Sequence, residues 1–341
     1  MRTAFITGTA GFIGYHLARL LLEQGWRVAG FDGMTDYYDV RLKQRRHQGL
    51  MQSEHFTATE AMLEDADAVA SAVEGAQPDV IVHLAGQAGV RYSLENPRAY
   101  LDANVIGTFN VMEAARAAGV DHLLMASTSS VYGANETMPF VETDKADTPL
   151  TIYAATKKAT EAMGHSWAHI HHLPVTMFRF FTVYGPWGRP DMALFKFAEA
   201  IRAGRPIELY NGGDMARDFT YVEDLVRAVA LLIDAVPPQA DARDGWEPVP
   251  GDTLSPAAPF RVVNVGNSES VRLLDFVSAL EDAMGREAER ALLPMQTGDV
   301  PATWADASLL RALTGYAPHT SYRDGVARFV EWHDRWRAEA G

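Results

Sequence analysis

Thr3-Ala-Phe-Ile-Thr7-Gly8-Thr-Ala-Gly11-Phe-Ile-Gly14 stands almost at the start of the chain, and the rest is read outward from it. Phe5 and Ile6 lead into three evenly spaced glycines. Ile13, Leu17, Leu20 and Leu21 then recur at i, i+4, i+7 and i+8, the apolar stripe of an amphipathic helix. Strand, glycine turn and helix in that order can hold a pyrophosphate. The glycines permit a tight turn, close approach of phosphate to backbone, and packing of helix on strand. A plain glycine-rich βα turn would look similar. What separates the two is Arg27-Val-Ala-Gly-Phe-Asp32, a second strand that ends in an acid. It lies at about the twenty-residue separation from which a carboxylate reaches the adenosine ribose hydroxyls. A carboxylate there repels a 2′-phosphate, so the expected cofactor is NAD, held by Gly8, Gly11, Phe12, Ile13, Gly14 and Asp32.

Further along, a strand near His55–Thr59 and a helix precede Asp79-Val-Ile-Val-His-Leu-Ala85, an apolar run suited to a strand buried on both faces. It ends at Leu84, Ala85 and Gly86, on the strand edge where ligands bind in open α/β sheets. A long helix is expected from Pro97 to Ala118. The next strand, from His122, delivers Ser127-Thr128-Ser129-Ser130 to the same edge. Alternation of strands and helices through about residue 180 predicts an α/β protein with a doubly wound parallel sheet.

Tyr153-Ala-Ala-Thr-Lys157 supplies chemistry. Four residues apart on a helix, phenol and ammonium share one face, and a lysine beside a tyrosine favours the phenolate, a base for a hydroxyl near neutral pH. On its own the pair fits many solvated helices equally well.

Composition sets outer bounds. The chain has 341 residues, net charge −14 and no cysteine. Disulfides, thiolate metal sites and cysteine nucleophiles are excluded, and nucleic acid or an anionic membrane is not an expected partner. With no apolar run near the ~20 residues of a membrane span and a strand-like start, a cytoplasmic protein is expected. His165, His169, His171 and His172 cluster, but without a carboxylate-bearing zinc motif they are read as lying on an exposed or subunit-facing helix side, and no metal site is expected. No Gly-x-Ser-x-Gly elbow exists to support serine hydrolysis.

Taken together, Gly8-x-x-Gly11-x-x-Gly14, Thr128 and Tyr153-x-x-x-Lys157 resemble the extended short-chain dehydrogenase/reductases, the NAD-dependent epimerase/dehydratase group with a Rossmann fold. Gln87-Ala-Gly-Val-Arg-Tyr-Ser93, Ser127-Thr-Ser-Ser-Val-Tyr-Gly133 and Arg179-Phe-Phe-Thr-Val-Tyr-Gly-Pro-Trp-Gly-Arg-Pro-Asp-Met192 are most similar to the UDP-glucuronate 4-epimerases. Dehydrating relatives carry Asp and Glu after the threonine, and decarboxylating ones a Glu two positions after their catalytic hydroxyl residue. Here those places hold Ser129 and Ser130. Thr182 replaces the Asn of UDP-galactose-type epimerases.

The resemblance implies Tyr153, Lys157 and Thr128 as catalytic residues, with Leu84, Ala85, Gly86, Tyr153 and Lys157 also touching NAD. It implies a UDP-sugar held by Arg91, Thr128, Ser129, Ser130, Tyr153, Thr182, Arg189, Arg217 and Asp299. Residues 1–185, completed by about 222–265, would bind NAD, and 186–221 with 266–341 would form a smaller C-terminal α/β unit for the UDP-sugar. A homodimer is implied by helices 97–118 and 153–172. Arg217 has a simpler reading as a surface ion pair with Asp214 or Asp218, and residues 236–259 read as a surface insertion loop. Met62, Gly33 and Tyr15 depart from the family pattern around the adenine and the third glycine. Another UDP-sugar 4-epimerase, a UDP-glucuronate oxidoreductase or decarboxylase, and a non-catalytic nucleotide-sugar sensor stay open as alternatives.

Overall fold

A computed structural model describes residues 1–239, 243 and 247–340. The first half runs β1 (Thr3–Thr7), α1 (Phe12–Glu23), β2 (Arg27–Asp32), α2 (Val40–Leu50), β3 (Phe56–Glu60), α3 (Ala66–Ala76) and β4 (Val80–His83). Next come α4 (Tyr92–Glu95), α5 (Pro97–Tyr100), a π-helical turn (Leu101–Ile106), α6 (Gly107–Ala118), β5 (His122–Thr128), α7 (Ile152–His171) and β6 (Val175–Phe180). After β7 (Thr182–Tyr184) the pieces shorten: α8 (Ala193–Arg202), β8 (Ile207–Leu209), β9 (Ala216–Arg217), β10 (Phe219–Tyr221) and α9 (Val222–Leu232). The chain closes with β11 (Phe260–Val265), β12 (Val271–Arg272), α10 (Leu273–Met284), β13 (Arg290–Leu292), β14 (Ala302–Thr303), α11 (Ser308–Thr314) and α12 (Tyr322–Ala340).

Seven strands form one sheet in the order β3-β2-β1-β4-β5-β6-β11, with every neighbouring pair parallel. Strand residues alternate between its faces, as a period of two demands. Ala4, Ile6, Val80, Val82 and Leu124 pack toward Leu17 of α1 and Leu225 of α9, whereas Phe5, Ile81, Leu123 and Met125 pack toward Val73 of α3 and Val111 of α6. Both faces are covered, so most residues of the inner strands are apolar, and the polar ones among them, such as His83, His122 and Arg179, are buried against partners. Strand order reverses at β1/β4, which opens a crevice at their carboxyl ends. A separate apolar cluster from α8, α10 and α12 (Phe195, Phe276, Leu280, Phe329, Trp332) forms a second core, and of these residues Phe195 reaches the wall of the crevice. Leu309 and Leu310 of α11 return to the sheet's own core.

Two expectations need correction. The helix foreseen from Pro97 to Ala118 is not one regular helix, because the π turn interrupts it and rotates Asn104 fully inward. The 236–259 stretch, of which 240–242 and 244–246 lie outside the described residues, is also more than a surface loop. Arg261 and Asp252 form a bidentate pair at 2.8 and 2.9 Å with both side chains almost fully buried, and His165 and His169 contact Ser255 and the Ala257 carbonyl. Those histidines anchor a strap over α7. No cluster of groups able to hold a metal occurs among the described residues.

Candidate active site

The crevice is a single cleft of about 1300 Å³. Every site residue expected from the sequence lines it, although these residues come from strand ends, loops and the first turns of α1 and α7.

At one end lie Gly8, Gly11, Phe12, Ile13 and Gly14. Gly8 has φ +81°, and a Cβ at Gly14 would fall 2.0 Å from the Gly8 carbonyl oxygen, so the turn closes only on glycine. Asp39, Asp65 and Thr151 cap the amino ends of α2, α3 and α7, whereas Gly11 supplies no side chain to α1. The first-turn N–H groups of α1 are thus left for an anion, as a pyrophosphate site requires. Asp32 accepts from the N–H groups of Ala10 (3.0 Å) and Met34 (2.9 Å), one at each oxygen, which fixes the carboxylate in the cleft with acceptor capacity to spare. The donor set and the glycine cradle fit NAD.

Gly33 and Met62 explain each other. A Cβ at Gly33 would lie 2.5 Å from Met62 Sδ, so the thioether takes the space that a side chain at 33 would need. Tyr15 does not line the cleft, and its ring lies tilted against that of Trp187, 5.4 Å between centroids.

In the middle, β5 and α7 bring Thr128, Tyr153 and Lys157 together, beside Leu84, Ala85 and Gly86 from the end of β4. The Lys157 ammonium donates to the Ala126 carbonyl at 2.9 Å, and burial lowers its pKa to about 8. Tyr153 is pushed up by burial, with the Thr128 hydroxyl and the Arg189 guanidinium acting in the opposite sense. Tyr100 sits edge-on to Tyr153, 5.9 Å between ring centroids, and donates to the Gly89 carbonyl at 2.5 Å.

Further along, Ser129, Ser130, Thr182 and Arg189 line the cleft, and the Ser130 N–H donates to Thr128 Oγ1 at 3.2 Å. Beyond them Asp299 stands between two arginines, 3.8 Å from Arg91 and 3.6 Å from Arg217. The surface ion pair considered for Arg217 does not form. Arg217 instead donates to the carbonyls of Val300 and Pro301, and Asp218 is fully buried, accepting from Thr220, Asn267, Ser268 and Ala305.

Sequence reading missed several groups. Asn104 accepts from the Gln87 N–H (2.8 Å) and donates to the Gln87 carbonyl (3.0 Å) and Thr156 Oγ1 (3.1 Å), tying the Gly86–Arg91 loop to α7. Arg46, fully buried, donates to the carbonyls of Ala10 and Trp187 and braces the cradle from beneath. Glu161, Tyr37 and Asp191 also went unread. For Asn104, Arg46 and Glu161 the only signal was a polar residue on an inward helix face, and Tyr37 and Asp191, both in turns, gave none.

Fold and site define a Rossmann-type protein built for hydride transfer, with a Tyr/Lys pair at the crevice. Residues 4–242 match the model of the NAD dependent epimerase/dehydratase family, and the chain belongs to that family. It is 59% identical over 330 residues to a protein of Rhizobium meliloti (strain 1021) named as a probable UDP-glucuronate 4-epimerase, covering 97% of this chain and 96% of that one. UDP-glucuronate 4-epimerase 1 of Arabidopsis thaliana is 41% identical over 336 residues, covering 97% of this chain and 76% of the relative. Among solved structures, UDP-glucuronic acid 4-epimerase from Bacillus cereus in complex with UDP-glucuronic acid and NAD superposes with a TM-score of 0.86 at 29% identity, over 98% of this chain and 99% of that one.

Proposed function

We propose that this protein converts UDP-glucuronate to UDP-galacturonate by NAD-dependent epimerisation at the fourth sugar carbon. One observation carries the reading: a single cleft joins the glycine cradle, the Thr128/Tyr153/Lys157 group and a cationic, hydroxyl-rich pocket suited to a carboxylate. Relatives of the same length bear that activity in their names.

Tyr153 takes the proton from the C4 hydroxyl, which Thr128 orients. Lys157 remains mostly charged at neutral pH with its pKa near 8. The Thr128 hydroxyl and the Arg189 charge oppose the burial that otherwise keeps the phenol protonated, and we read Lys157 as adding its charge to theirs. NAD held by the glycine cradle and Asp32 would supply the redox chemistry, serving as acceptor and then donor of the carbon-4 hydride by way of a ketone at that carbon. Because that ketone is β to the carboxylate, it is prone to lose carbon dioxide. Arg189, Thr182, Thr128, Ser129 and Ser130 hold the carboxylate against that loss, while Arg217 and Arg91 grip the diphosphate side and Asp299 the nucleotide ribose.

Residues 1–185 with 222–265 serve NAD, and 186–221 with 266–341 serve the UDP-sugar. We also read the protein as a cytoplasmic homodimer. No described helix is long and apolar enough to cross a membrane. Leu101, Ile106 and Phe109 on the 97–118 helical run, with Ile152 and Ile170 on α7, are 40–59% exposed, an apolar face that pairing would cover. A sedimentation mass of one chain would overturn the pairing.

Proton NMR of purified protein with UDP-glucuronate tests the function. UDP-galacturonate should accumulate without a net rise in NADH absorbance, and Tyr153→Phe should stop it. A UDP-pentose or stoichiometric NADH would defeat the reading.

A further inference from the structure

Arg189 does not stand alone in the cleft. Its Nε donates to Asp191 Oδ1 at 3.0 Å and its Nη2 to Asp191 Oδ2 at 2.5 Å. The hydroxyl of Tyr37, from a distant part of the sequence, donates to the same Oδ2 at 3.2 Å, and the guanidinium carbon lies 5.8 Å from the Tyr37 ring centroid. Tyr37 is itself confined. Its ring is 4.9 Å from that of Tyr92, and a Cβ on Gly89 would come within 2.7 Å of its hydroxyl. The backbone just before it is pinned at the cofactor end, where Asp32 holds the Met34 N–H and the Lys43 ammonium donates to the Thr35 carbonyl at 2.8 Å.

A guanidinium has a planar fork of donors. Asp191 occupies the Nε/Nη2 edge, and among the described residues Nη1 makes no hydrogen bond. The side chain is therefore fixed in plane and direction, with a free edge still available for a second carboxylate. Fixing a long, flexible side chain before binding removes an ordering cost that the substrate would otherwise meet.

We propose that Tyr37 and Asp191 are positioning residues that aim Arg189 at the sugar carboxylate, and so set the preference for UDP-uronates over uncharged UDP-hexoses. The proposal rests on the reading of Arg189 as the carboxylate contact. It makes a prediction opposite to that of bare electrostatics. Asp191 adds negative charge beside an anion site, so charge alone says that removing it tightens binding of an anionic sugar. Positioning says that removing it loosens binding.

The test uses full-length, NAD-loaded wild type, Asp191→Asn, Tyr37→Phe, Arg189→Ala and the Arg189→Ala/Asp191→Asn double variant. Calorimetry reads the dissociation constants of UDP-glucuronate and UDP-glucose, and bound NAD content reports the integrity of the fold. Asp191→Asn should lose roughly tenfold in UDP-glucuronate affinity and Tyr37→Phe several-fold, with UDP-glucose changing less than about twofold. The double variant should bind UDP-glucuronate no more weakly than Arg189→Ala alone, because Asp191 acts through the arginine. Unchanged or tighter UDP-glucuronate binding by Asp191→Asn would overturn the proposal, as would equal losses for both sugars. A wild type that binds UDP-glucuronate no better than UDP-glucose, or fails to epimerise it, would instead defeat the functional reading. The two failures are therefore distinguishable.

Discussion

Lys157, which we propose as catalytic, is held in the cleft at a cost to stability. It is 6% exposed, and burial holds its pKa near 8 against an ordinary 10.5. Because the folded value is the lower one, the penalty is complete below pH 8 and is relieved as pH rises toward 10.5. At about 1.4 kcal/mol per pKa unit, the net penalty near neutrality is on the order of 3 kcal/mol, the neighbouring Glu161 having already offset part of the burial. Lys157→Met keeps the length of the side chain and removes the charge. We expect the cofactor-free variant to gain about 1–2 kcal/mol in urea unfolding at pH 7, while turnover of UDP-glucuronate falls at least about a hundredfold. A lower urea midpoint than wild type would show that the ammonium stabilises the site rather than straining it. The Tyr/Lys spacing was legible because it is local and periodic. Which of burial and charge wins was not, because that depends on β5 and on Arg189, far away in sequence.

At the scale of elements, α7 is the piece on which the site turns. One helical turn past Lys157, Glu161 accepts from Arg179 of β6 at 2.9 Å on both oxygens, and from Ser127 of β5 at 2.6 Å. Both partners of the ion pair are 3% exposed, and the Arg179 guanidinium also lies 4.7 Å from the Tyr132 ring centroid. The pair locks helix to strands directly behind Thr128. Glu161→Gln leaves a buried cation without its counter-charge, which costs roughly 3–5 kcal/mol. Urea titration should show that loss, and Glu161→Leu combined with Arg179→Met should recover most of it. A Glu161→Gln midpoint within experimental error of wild type would mean that the lock carries no weight. None of this was visible in the sequence, although the glycine turn, the strand-end Asp32 and the strands themselves were. Those features repeat with periods of two or 3.6, or sit at a fixed offset within one βα unit. The π turn, the Asn104 bridge, the Arg46 brace and the Tyr37–Asp191 contact join segments that lie far apart or break the helical period, so no local pattern announces them.

Across the whole molecule, buried histidines set the acid limit of the fold. His83 lies between Thr7 Oγ1 (2.8 Å) and Thr108 Oγ1 (2.9 Å), and burial lowers its pKa to about 3. His16, beneath the 186–188 turn at 2.9 Å from the Pro186 carbonyl, also falls to about 3, and His122, between the Ile233 carbonyl and Thr176, to about 4. In each case the folded pKa is below the unfolded value of 6.5. Their stabilisation is therefore complete above pH 6.5 and is lost as pH falls toward the folded values. Two buried carboxyls work the other way. Glu142 is pushed up to about 7 and Asp218 is also raised, so both favour the fold as acid protonates them, while His333, lowered by burial, adds to the histidine side. Three or more protons taken up on unfolding against one or two released leaves a net slope of about 1–3 kcal/mol per pH unit near pH 5. Urea midpoints taken from pH 8 to pH 5 should stay level to about 6.5 and then drop. His83→Gln, which keeps a donor and an acceptor but cannot charge at these pH values, should flatten the drop by about a third, provided that the variant folds at pH 8. A drop of the same slope in that variant would mean that the acid limit lies in the other buried groups and not under the NAD cradle.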